Sequence, residues 1–176
     1  RGEFLDRAER VVFTTPDVSA VVKKAEFSRA SLEVRVSAEA EPGPRYFRVI
    51  TPRGASNLLL FRVSEWPSLL EQEPNHDRHN LPLFEWPVLI SGRLATPRDV
   101  DLFRFHARAG QVLSLSLLAA RNWSTADLSL AILDAGGRAI RQDEGNLIWD
   151  PHIAFTCRKD GDYVAAVTLT RMPAGG

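Results

Sequence analysis

The sequence predicts an all-β protein built from short strands at sandwich spacing. Three observations carry this. Apolar residues alternate with polar ones along many short stretches, turn residues fall between those stretches, and no long segment repeats with helical period. In "SLEVRVS", Leu32, Val34 and Val36 share a face, with Glu33 and Arg35 on the other. In "VLSLSLL", Leu113, Leu115 and Leu117 oppose Ser114 and Ser116. "DLSLAIL" aligns Leu128, Leu130 and Ile132, and "DLFRFHA" turns Phe103 and Phe105 inward with Arg104 and His106 outward. Strands of this kind bury one face and wet the other. Gly136-Gly137 between "LAILD" and "RAIRQ" predicts a hairpin. "KDGDY", "EPGPRY" and "TPRGAS" mark further turns. The only helical expectation is a single turn in "PSLLEQE".

Organisation follows from where the composition changes. About five strands are expected upstream, at 10–14, 18–27, 31–37, 45–51 and 57–63, and about seven or eight between Val88 and Thr170. Between them runs "EQEPNHDRHNLP", rich in carboxylates, amides and imidazoles. The division is therefore residues 1–66, a polar linker at 67–82, and residues 83–176. The first body has few strands for a closed sandwich, and the chain opens without Met, so the expectation is a piece of a longer protein.

Composition bounds the chemistry. The 176 residues carry 22 basic and 22 acidic side chains, which gives no overall basic character and no argument for nucleic acid. No apolar run approaches the roughly 20 residues of a membrane span. Cys157 is the single cysteine, so no internal disulfide forms.

The ordered features of residues 71–170 resemble the bacterial pre-peptidase C-terminal domain. They are the "EQEPN" opening, the "SGRL" strand and "DVDLFRF". An "AGQ" turn, the "LAILDAGG" hairpin and the late "DGDYVAAV" strand follow. The resemblance implies a jelly-roll-like β-sandwich, secreted, periplasmic or on the cell surface, attached to other domains of a parent protein and not itself catalytic. "GEFLDRAERVVF" and "PGPRYFRVITPRGASNLLLFRV" are similar to immunoglobulin-like (E-set) IPT/TIG modules. The expected order is a truncated Ig-like module followed by the jelly-roll-like sandwich.

The same resemblance implies calcium between the linker and an Asp pair. Carried onto this sequence, the ligands are Glu71, Glu73, Asn75, Asp99 and Asp101, with His76 where the family often has Asp. The residue types suit Ca²⁺, which takes six to eight oxygens. Glu71, Glu73 and Asn75 alternate in an extended segment, as do Asp99 and Asp101 at a strand start. Competing roles are a backbone-bonding turn for Asn75, turn capping for Asp99, and an ion pair such as Asp101 with Arg98.

Other candidates are weighed on spacing. His76 and His79 form H-x-x-H, but no third and fourth ligand for zinc accompanies them. Cys157 lies at a strand end with nothing adjacent to activate it. Asp143-Glu144 fall in an exposed turn, and neither a G-x-S-x-G elbow nor a phosphate loop occurs. Trp66 and Trp86 flank the linker and are expected at a seam between the two bodies. Trp123 and Trp149 lie in loops and are the expected ligand-binding surface, since indole rings stack on sugars or anchor protein partners. The functional expectation is a non-catalytic adhesive or accessory module. The alternative is a carbohydrate- or protein-binding module that uses those tryptophans, with polysaccharide or an extracellular protein as partner. An enzyme with an unrecognised site is the third reading.

Overall fold

A computed structural model of the chain describes residues 3–146 and 148–171. It is all-β: its helical content among these residues is three short 3-10 turns, at Leu5–Arg7, Arg78–Asn80 and Ala120–Asn122. No helix is long and apolar enough to cross a membrane among the described residues. The chain divides into two compact units, residues 1–65 and 66–176.

The first unit contains β1 (Arg10–Phe13), β2 (Val18–Glu26), β3 (Arg29–Val36), β4 (Gly43–Thr51), β5 (Gly54–Ala55) and β6 (Leu59–Val63). β4 pairs antiparallel with β1, β5 and β6, while β2 and β3 form a separate ribbon. Its core is small: among the described residues, Val18 and Val49 are its buried apolar side chains. Aromatic pairs add to it. Phe13 stacks on Phe47 at 5.0 Å and meets Phe61 edge-on at 6.1 Å. Asp17 accepts from Arg45 Nε at 2.8 Å and from Nη2 at 2.5 Å. That hydrogen bonding holds the Asp17 carboxyl down at about 2.

The second unit begins with β7 (Ser68–Leu70), β8 (Leu83–Phe84) and β9 (Leu89–Ser91). β10 (Val100–Ala107), β11 (Val112–Ser116) and β12 (Asp127–Leu133) follow, then β13 (Ala139–Asp143), β14 (His152–Thr156) and β15 (Gly161–Arg171). One sheet has the order β13-β12-β15-β10-β8, antiparallel except for the β8–β10 pair. β11 pairs with β14, and β7 runs parallel to β9. The main core lies between the five-stranded sheet and the β11–β14 pair. Phe105, Leu113, Leu130, Ile132, Ile153 and Phe155 fill it. The alternation read from β10, β11 and β12 places these side chains as expected.

The opposite face of the five-stranded sheet is covered as well, and the cover is part of the expected linker. Leu81 is buried against Leu102, Val164 and Ala166. The Leu102 N–H donates to the Asn75 carbonyl at 3.0 Å, beside β10. Arg78 Nη1 donates to the Gly136 carbonyl at 2.6 Å, on the β12–β13 turn. Residues 75–82 thus strap the sheet from one side to the other. Residues 67–82 are therefore structure of the second unit rather than a free joint. "PSLLEQE" is likewise extended: β7 pairs with β9, and no helical turn forms there.

Candidate functional site

The strap meets the start of β10 at an acidic cluster. β7 ends just before Glu71, whose N–H donates to the Ser91 carbonyl at 3.0 Å. This brings Glu71 alongside Gly92. The Arg93 N–H donates to Glu71 Oε1, and Asn75 Nδ2 donates to Oε2 at 3.3 Å. Gly92 leaves the room this requires, because a Cβ there would sit 2.5 Å from Glu71 Oε2. Two residues on, Glu73 Oε2 accepts from the Asn75 N–H at 3.1 Å. The Glu73–Pro74 peptide is cis, as is Trp86–Pro87.

Asp101 completes the group from β10. One oxygen from each of Glu71, Glu73 and Asp101 lies within 4.8 Å of the others. Two oxygens at 2.3–2.6 Å from one Ca²⁺ can be no more than about 5 Å apart, so this spacing admits a shared cation. Asp101 is only 3% exposed and Asn75 only 4%. Asp101 Oδ1 and Asn75 Oδ1 are buried without a hydrogen-bond partner. Such acceptors are costly unless something electropositive meets them. Burial pushes the Asp101 carboxyl up to about 7, helped by the Glu71 charge, a hydrogen bond with Glu71, and the charges of Asp99 and Glu73. No arginine pairs with Asp101 among the described residues.

Of the five expected ligands, the fold gathers Glu71, Glu73, Asn75 and Asp101. Asp99 is turned to another task. Its Oδ2 accepts from the Ala95 N–H at 2.6 Å and its Oδ1 from the Val100 N–H at 3.1 Å. It caps the turn into β10 and acts on the cluster through its charge alone.

The expected tryptophan surface rests on a feature that the loop composition did not reveal. Asp150 accepts from the N–H groups of Ala119 (2.9 Å), Ala120 (2.7 Å) and Arg121 (3.1 Å), and from Arg121 Nε at 2.9 Å. Burial alone would raise its pKa, but the bonds from Arg121, Ala120 and Ala119 outweigh that and lower it. This one carboxylate ties the loop holding Trp123 to the loop holding Trp149. Trp123 adopts a left-handed conformation, φ 64°, which is unfavourable for a non-glycine residue. Trp123 is 53% exposed, Ile148 74% and Trp149 71%. Trp86, expected at a seam, lies in the second unit, where its Nε1 donates to the His106 carbonyl at 2.9 Å.

The remaining candidates fall into ordinary roles. The His79 N–H is bonded by Asp77 Oδ1 at 3.0 Å in the 3-10 turn of the strap. Cys157 is buried, and burial raises its thiol pKa. Ser114 Oγ meets His152 Nε2 at 2.8 Å on the outer face of β11–β14. Asp143 accepts from the backbone N–H of His152 at 2.8 Å, and among the described residues no hydrogen bond joins the His152 imidazole to a carboxylate.

Compared with known proteins, the chain matches no family model and no curated sequence.

Proposed function

We propose that the chain is a non-catalytic accessory module of a larger exported protein, stabilised by Ca²⁺ held in the second unit. The proposed ligands are Glu71, Glu73, Asn75 and Asp101. In this reading the second unit is a jelly-roll-like sandwich of the pre-peptidase C-terminal kind, and the first is an Ig-like module. The observation that carries the reading is the pair of buried, partnerless oxygens on Asp101 and Asn75 inside a cluster of carboxylates. A hard divalent cation supplies what both lack. Four side-chain oxygens leave room for water or backbone oxygens in a sphere of six to eight. Because Asp101 lies on β10 while Glu71, Glu73 and Asn75 lie on the segment that leads into the strap, the ion fastens the beginning of the strap to the sheet. The proposed location is secreted, periplasmic or at the cell surface, where millimolar Ca²⁺ suits weak sites.

The test is a thermal melt. Binding to the folded state alone adds RT ln(1 + [L]/Kd), about 2.7 kcal/mol at a hundred times Kd. Millimolar Ca²⁺ raises the melting temperature, chelator reverses it, and Glu71→Gln/Asp101→Asn loses the response. An unchanged melt under saturating Ca²⁺ removes the proposal.

A second reading has its own observation, the two tryptophan loops locked together by Asp150. A preorganised aromatic surface binds at low entropic cost, and polysaccharide or an extracellular protein is the proposed ligand. A glycan and matrix-protein array tests it: Trp149→Ala abolishes any signal that depends on this surface.

A further inference from the structure

β13 ends the five-stranded sheet, so its outer edge carries no strand ladder; β14 comes near it only at one end, where the His152 N–H donates to Asp143 Oδ2 at 2.8 Å. Among the described residues, no backbone–backbone hydrogen bond reaches Ala139–Asp143 from that side. The Ile140 carbonyl is met by the guanidinium of its own neighbour Arg141, at 3.3 Å. Beside the edge lies an open cleft of about 700 Å³, bounded across from β13 by Phe155, Thr156 and the turn that leads to Tyr163. Ile140, half-buried against the core, presents an apolar step at its floor.

The rim is basic in effect, although acids are present. Asp134 accepts from Arg138 through its N–H at 2.9 Å and faces its guanidinium at 3.4 Å. Asp160 accepts the Ala109 N–H at 2.6 Å. Asp162 is met by His106 Nδ1 at 2.9 Å and by Arg104 Nε at 3.9 Å. Arg141, Arg158 and Lys159 line the same cleft and have no carboxylate partner among the described residues. The strap adds Arg78 at Gly136.

We propose that this edge binds an extended acidic peptide segment of a partner protein, which adds to β13 as a further strand. Main-chain hydrogen bonds to the free edge supply affinity, and alternate side chains supply specificity. Carboxylates on one side of the added strand meet Arg141, Arg158 and Lys159, and small apolar residues on the other settle on Ile140. Two features favour a peptide over a polysaccharide. The rings of Phe155 and Tyr163 are buried in the core and offer no stacking platform. The free edge presents donors and acceptors at strand spacing. A second copy of this chain is disfavoured, because edge-to-edge pairing of β13 brings the Arg141 side chains of both copies together.

The test uses the full chain, isotope-labelled, and a capped octapeptide alternating Glu with Val. The expected result is shifts of the Ala139–Asp143 amides on titration, with binding weakened by salt. Arg158→Glu/Lys159→Glu, both at exposed positions, weakens it about tenfold with an unchanged melting temperature. The same peptide N-methylated at alternate residues fails to bind. No shift at β13, equal binding of the N-methylated peptide, or indifference to the charge reversal overturns the proposal. So does selective binding of a sulfated oligosaccharide at this cleft where the peptide fails.

Discussion

The substitution Asp101→Asn isolates the acidic cluster, because it removes one charge while leaving a side chain of the same shape. The Asp101 carboxyl is held at about 7 against an ordinary value of 3.8. Its folded pKa lies above its unfolded one, so between those values the folded state binds the extra proton. Stability of the calcium-free protein therefore falls as pH rises from about 4 to about 7 and levels off beyond. A shift of roughly 3 units sets a ceiling of about 4 kcal/mol. The neighbouring Glu73 is exposed. Water near it relieves part of the penalty, so about 2 kcal/mol is expected. Urea denaturation in chelator, from pH 3.5 to pH 9, reads it. Wild type and Asp101→Asn run close together near pH 3.5, and the variant is the more stable from about pH 5 upward. With Ca²⁺ the order reverses, because wild type gains the ion and the variant does not. Parallel pH profiles for the two proteins in chelator would refute the account of Asp101.

Further outcomes follow from the same geometry. Gly92→Ala drives a methyl group into the space of the Glu71 carboxylate, so it shrinks the Ca²⁺-induced rise in melting temperature more than it lowers the calcium-free melt. Asp150→Ala removes the acceptor of four hydrogen bonds and costs about 3 kcal/mol by chemical denaturation. The lowered Asp150 pKa makes its contribution present above the unfolded value and lost as pH falls through the folded one. Ile132→Ala empties a fully buried site in the main core and costs about 3–4 kcal/mol.

Much of the strand layout is legible in the sequence because period-two alternation is a local property. Leu113 and Leu115 are buried or half-buried while Ser114 and Ser116 are exposed, as their pattern requires. The Gly136-Gly137 hairpin is legible for the same reason, with Gly137 at φ 83°. What escapes is whatever a single residue decides at long range. β12 buries Ser129 as well as Leu130, on a face that alternation alone would leave wet; Gln142 Nε2 of the neighbouring strand donates to the Ser129 Oγ at 3.3 Å. Asp99 and Asp101 look equivalent two positions apart. Nearby N–H groups at Ala95 and Val100 take the first, and burial takes the second. β7 and β9 are three residues each, too short for a period to register. Asp150 sits in "WDPH" with no local sign that its partners lie about thirty positions upstream.

Leu81 gives the strap a consequence for how the chain can be divided. A polypeptide started at Leu83 keeps the β8-to-β15 strands but exposes Leu102, Val164 and Ala166 on a bare sheet. Started at Trp66, it carries its own lid. The place where the composition turns polar is thus a poor place to cut: hydrophilic residues there hold down a greasy surface that lies beneath them.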